Sequence, residues 1–126
     1  MKLKSNRRYI LQSLRDWLND QDKTPFIIAD ASLDGVVVPD GFAQSDGRIC
    51  LDISTNMVRN FELTETMLSF DAQFKGKVHR LKLPLNALLS LACKENGWSI
   101  WFSVFDGNEH VDLPLEPPRF TIEEDD

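Results

Sequence analysis

No stretch of this chain approaches the ~20 consecutive apolar residues that a membrane-spanning helix needs, so nothing in the sequence suggests a span. The charged N-terminus has no apolar run behind it, so no secretory signal peptide is expected. Cysteine is scarce. Cys50 and Cys93 stand far apart without CxxC spacing, neither a disulfide framework nor a zinc motif. Each reads as a small buried hydrophobe in a reducing, cytoplasmic setting. Basic residues are also short: 14 Lys and Arg against 20 Asp and Glu give a net charge of −6. That balance speaks against nucleic-acid binding, where clustered cations neutralise phosphate and supply most of the affinity.

Catalytic material is equally thin. There are two histidines, His79 in an alternating segment and His110 in the polar Gly107-Asn108-Glu109-His110 stretch. Neither stands in a nucleophile–base pattern, and no GxSxG, GxGxxG or P-loop spacing occurs. Asp52, Glu62 and Asp71 could be posed as acid–base carboxylates, but they read as solvated strand faces. We therefore expect no enzyme, no catalytic residue, no metal site and no cofactor.

What the sequence does hold is one domain's worth of core. Its 126 residues are 42% hydrophobic and 27% charged, an ordinary globular composition. Ile10, Leu14, Trp17 and Leu18, widened by Leu11, predict a helix over 9–20 closed by Thr24-Pro25. Phe26-Ile27-Ile28-Ala29 predicts a strand buried on both faces, and Val36-Val37-Val38 lies between turn signals. Ile49, Leu51 and Ile53 alternate with polar residues as a half-buried strand, and 60–63 gives a short strand with Phe61 and Leu63 inward. A hairpin follows, 68–74 and 78–83 around Lys75-Gly76-Lys77.

Pro84, Leu85, Leu88, Leu89 and Ala92 then predict a short second helix stopped at Asn96-Gly97. Residues 98–105 form a last strand in which Trp101 and Phe102 point to opposite faces. The expected fold class is α+β, a compact or partly open barrel with a short second helix. Residues 1–112 make the domain. From 113 the chain turns proline-rich and acidic, a flexible tail over 113–126.

Tyr9-Ile10-Leu11, Trp17-Leu18 and Thr24-Pro25, then Gly47-Arg48-Ile49-Cys50-Leu51-Asp52-Ile53, Asn60-Phe61-Glu62-Leu63, Phe70-Asp71-Ala72-Gln73-Phe74, Pro84-Leu85 and Ala92 to Gly97 resemble, in order and spacing, the stringent starvation protein B family. The resemblance runs from about Arg8 to Phe102. It implies an N-terminal helix on a small Sm-like, partly open β-barrel. It also implies an adaptor that binds ssrA-type degradation tags and hands the tagged proteins to the ClpXP protease. Carried over residue by residue, Asn60, Phe70, Ala72, Gln73 and Phe74 would form the peptide groove, with Ala72 the small residue lining it. Asp71 and Gln73 depart from the family's Asn and Arg. Phe70, Ala72 and Phe74 also make one face of a strand, so the set divides between groove and core. Tyr9, Leu11, Leu14 and Trp17 would form a homodimer interface on the helix.

The family's flexible acidic linker, ending in a segment that docks on ClpX, is only begun at Glu123–Asp126, and Pro118-Arg119-Phe120 is faintly similar to the docking segment. An Sm-like RNA-binding protein is the alternative, and it would need the basic, aromatic-studded face that a net charge of −6 argues against.

Overall fold

The computed structural model describes residues 5–102. His110, Phe105 and the segment from 113 onward lie outside the described residues. The elements run α1 (Arg7–Asp20), β1 (Pro25–Asp30), β2 (Arg48–Asp52), β3 (Val58–Leu63), β4 (Met67–Phe74), β5 (Lys77–Pro84), a 3-10 turn (Leu85–Ala87), β6 (Leu88–Cys93) and β7 (Ser99–Trp101). Two antiparallel sheets result, one ordered β2-β1-β6-β7 and the other β3-β4-β5. They share a single apolar core with the helix, without closing into a barrel.

The helix forms where its periodicity predicts, but it buries a stripe one residue round from the expected one. Arg7, Leu11, Arg15 and Leu18 are buried, Ile10 and Leu14 are half-buried, and Trp17 is exposed. The reason is the two arginines. Each lays an aliphatic stem against the core and spends its guanidinium on backbone carbonyls. Arg7 Nη1 donates to the carbonyls of Leu85 and Leu88, both at 3.0 Å. Arg15 Nε donates to the Ile53 carbonyl at 2.7 Å, and its guanidinium carbon sits 3.7 Å from the centre of the Phe61 ring. A hydrophobicity pattern discounts both residues.

The helix stops before the proline that was expected to end it. Asp22 takes the left-handed conformation at φ +57°. The Lys23 amide then bonds the Leu18 carbonyl at 2.8 Å, and the Asp22 amide bonds Asn19 at 3.1 Å. That is the Schellman arrangement, with aspartate in the place glycine usually fills.

In β1 burial alternates. Pro25, Ile27 and Ala29 are buried while Phe26, Ile28 and Asp30 are only half so, rather than both faces being fully covered. β2 is as the alternation predicts, with Ile49 and Leu51 inward. Cys50 faces outward and is exposed, against expectation, because it occupies the polar phase of that strand; Cys93 is buried. The valine run forms no strand. Val37 makes a single bridge to Lys82, its amide donating at 2.8 Å and its carbonyl accepting at 3.0 Å. That bridge ties the long β1–β2 connection to the edge of β5.

The β4–β5 hairpin pairs in full register from Met67 opposite Pro84 to Phe74 opposite Lys77. Its two loop residues, Lys75 (φ +52°) and Gly76 (φ +80°), both have positive φ, the mirror-image turn that matches the strands' right-handed twist.

The predicted second helix is not there. Residues 85–87 make one 3-10 turn and 88–93 are a strand between β1 and β7. Leu88, Ser90, Leu91 and Cys93 are buried. A strand buried from both sides is apolar at most positions, so helical spacing arises in it by chance. Arg7 reinforces the outcome by holding the Leu85 and Leu88 carbonyls, groups that a continuing helix would bond internally. Asn96-Gly97 is therefore the β6–β7 turn and not a helix stop, with Gly97 at φ +73°. Beyond it, Phe102 is fully buried and Trp101 is 45% exposed, the predicted division of faces.

Candidate functional site

β3 carries the irregularity that shapes the site. Its pairing with β4 slips between Arg59 and Glu62, and Asn60, inside the slip, has φ +53°. A non-glycine residue in that region is uncommon, though asparagine tolerates it best. Such a bulge bends the strand and re-aims its side chains.

Both ends of Asn60 are held. Its Nδ2 donates to Asp71 Oδ2 at 2.7 Å, and its carbonyl accepts from Arg80 Nη1 at 2.8 Å. Arg80, on β5, also reaches Asp71 Oδ1 at 3.3 Å, Glu62 Oε1 at 2.9 Å and Ser69 Oγ at 3.2 Å. Asn60's amide, and after it Arg80, holds the Asp71 carboxyl below the usual carboxylate range. Arg80 is thus the hub that fixes the bulge, on the outward face of the sheet.

Beside this hub opens a cavity of about 450 Å³, lined by Asn56, Met57, Arg59, Asn60, Asp71, Ala72, Gln73 and Val78. It mixes polar groups with two apolar side chains left open to solvent, Met57 at 57% and Val78 at 64% exposure. Small-molecule and peptide sites have this kind of volume and this mixture. The lining takes residues of both phases of β4, because β3 gives way to a turn next to Val58, the partner of Ala72.

Of the expected groove residues, Asn60, Ala72 and Gln73 come together here. Phe70 and Phe74 are not in the lining. Phe70 is fully buried and stacks on Phe61 at 6.3 Å, so it supports the site from below. Phe74 packs edge-on against Phe42 at 4.8 Å and His79 at 5.9 Å. Asn56, Met57, Arg59, Val78 and Arg80 were missed. Their chemistry is generic in sequence; strand pairing sets Arg59 and Arg80 opposite Asp71 and Val78 opposite Gln73, and the turn before β3 adds Asn56 and Met57.

Elsewhere on the surface, Tyr9 (65% exposed) and Trp17 (48%) stand out from α1, and Trp17 meets Trp98 edge-on at 5.4 Å. Leu14 is half-buried between them and the core. Leu11 has no exposed surface at all. It cannot offer a contact to a second subunit and is removed from the expected interface.

Cys50 stands exposed on the outward side of β2. Partial desolvation, and then the Asp52 charge, push its thiol up. Among the described residues no three His, Cys, Asp or Glu gather as a metal cluster, and no helix is long and apolar enough to cross a membrane.

Fold and site together define an α+β domain of two open sheets with a solvent-facing cavity at a bulged edge strand. The family model for stringent starvation protein B matches residues 5–118 of the chain. A curated relative, the stringent starvation protein B homolog of Haemophilus influenzae, is 38% identical over 120 residues, covering 93% of this chain and 77% of that protein. The chain belongs to the stringent starvation protein B family.

Proposed function

We propose that this protein is a non-enzymatic, cytoplasmic adaptor that binds ssrA-type tags on substrate proteins and delivers them to ClpXP. The observation that carries the reading is the cavity at the β3–β4 edge, where Asn60, Ala72 and Gln73 converge beside exposed Met57 and Val78. An extended peptide needs apolar contacts for alternate side chains and polar groups for its main chain, and this lining supplies both. Family membership supports the adaptor role. A homodimer through the outward side of α1 would present two such cavities, so that one substrate oligomer could engage both and gain avidity.

Fluorescence anisotropy with a peptide ending in the ssrA tag, against a scrambled control, tests the reading. Sequence-dependent binding at low-micromolar concentration or tighter is expected. Ala72→Gln should weaken it by roughly tenfold or more, the scale of overfilling a packed site. Val78→Asn should weaken it less while leaving the circular dichroism spectrum unchanged. Equal binding of tag and scrambled peptide would overturn the proposal.

A further inference from the structure

Arg59 lines the cavity directly opposite Asp71 on the neighbouring strand. Opposite charges at such positions ordinarily pair across the strands. Here they do not. Asp71 is already engaged on both oxygens, Oδ2 by Asn60 and Oδ1 by Arg80. Arg59 is left with no carboxylate within ion-pair distance among the described residues. Its Nη1 rests on two main-chain carbonyls instead, Thr55 at 3.3 Å and Val58 at 3.2 Å. Both bonds are long, one exposed and one partly buried, and water or a ligand can replace them.

We propose that Arg59 is the specificity-determining residue of this cavity and pairs with the carboxylate of an acidic side chain, Asp or Glu, in the bound peptide. This rests on the peptide-binding reading and names the chemistry that reading takes. Apart from Arg59 and the satisfied Asp71, the lining is uncharged. Arg59 therefore supplies the cavity's one unspent charge among the described residues, and its planar fork is shaped for a carboxylate. The need is sharpened by the chain's net charge of −6, a balance that disfavours acidic ligands unless a local cation receives them. A side chain fits better than a peptide's terminal carboxylate. Met57 and Asn60 line the cavity on either side of Arg59 along β3 and the turn before it, so a bound chain extends past it in both directions.

The test takes the ssrA-tagged peptide and replaces each position in turn by Glu and by Gln, with free and amidated C-termini. Each is titrated against the wild-type chain, Arg59→Gln and Arg59→Glu. Arg59 is exposed, and circular dichroism checks that the variants fold. We expect one position where Glu binds roughly three- to fivefold more tightly than Gln at low salt, the range for a solvent-accessible ion pair. That preference should fade at high salt, vanish in Arg59→Gln and invert in Arg59→Glu. Peptides that bind with no such position, or a preference that survives Arg59→Gln, would overturn the inference and leave the peptide reading standing. A preference that tracks amidation would replace the side chain by the peptide terminus and overturn it too. Failure of the wild-type chain to bind any peptide of the scan removes the peptide reading itself.

Discussion

Replacing Arg15 by Met removes one cation and one donor while keeping an unbranched apolar stem in place. Arg15 is 7% exposed, donates to the Ile53 carbonyl at 2.7 Å and covers the Phe61 ring at 3.7 Å. A hydrogen bond from a charged donor contributes about 1.5–3 kcal/mol net, and a cation over an aromatic face about 1–2 kcal/mol when partly desolvated. Against these stands the cost of holding the guanidinium away from water. Its mark is the lowered pKa of Arg15, caused first by burial and only partly opposed by Asp16. The balance leaves a loss of about 2 kcal/mol.

With a urea dependence of about 1–1.5 kcal/mol per molar for a domain this small, the unfolding midpoint should fall by about 1.5 M. Trp17 lies two residues along the helix and contacts Trp98 on the β6–β7 turn, so tryptophan fluorescence reports undocking of the helix and circular dichroism reports loss of the fold. Both should move together at one fixed protein concentration, since any self-association shifts the midpoint. Arg15→Lys keeps the charge but loses the planar face and the Nε reach, and should recover less than half of the loss. A midpoint for Arg15→Met within about 0.3 M of wild type would show that desolvation cancels the two contacts, and the reasoning would be refuted.

Two further outcomes are expected. Glu95 accepts from the Thr24 hydroxyl at 2.6 Å and the Thr24 amide at 2.8 Å, which holds its carboxyl at about 2 against an ordinary 4.5. A depressed carboxylate pKa stabilises the fold fully above the unfolded value and loses that contribution as pH falls from about 4.5 to about 2. The stability difference between wild type and Glu95→Gln should therefore be present at pH 7 and close across that window; parallel pH–stability curves would exclude it. Leu14→Glu, at a half-buried position on the helix that exposes Tyr9 and Trp17, should leave a folded monomer by sedimentation if α1 is the dimer interface, whereas a folded variant that still sediments as a dimer places the interface elsewhere.

The sequence was most readable where one side-chain period governs one buried face. β2, β4 and β5 follow the expected alternation, and the turn expected over Lys75-Gly76-Lys77 is made by Lys75 and Gly76, with Lys77 already in β5. Reading failed where burial comes from two sides or from polar residues. Leu85, Leu88, Leu89 and Ala92 have helical spacing only because β6 is covered on both faces, and Arg7 and Arg15 bury stems that a hydrophobicity pattern counts as surface. The lining of the cavity was half legible. Resemblance pointed to Asn60, Ala72 and Gln73, while Arg59 and Arg80 are set opposite Asp71, and Val78 opposite Gln73, by strand pairing that their own chemistry does not announce, and no local pattern encodes the register slip at Asn60.

That slip also explains how so short an edge strand can serve as a wall. A bulged edge of six residues, with one at positive φ, would be loose if left to its own hydrogen bonds. β3 is instead gripped from both faces. Inward, Phe61 is pressed between the Arg15 guanidinium and the Phe70 ring. Outward, Asn60 and Glu62 are fastened to Arg80 and Asp71. Because alternate residues of one strand face opposite ways, these two grips act on consecutive positions and leave little freedom between them. A wall fixed in advance would spare binding of any ligand the entropy of ordering it. Arg59, one residue along and held only by carbonyls, is the part of that wall left free to adapt.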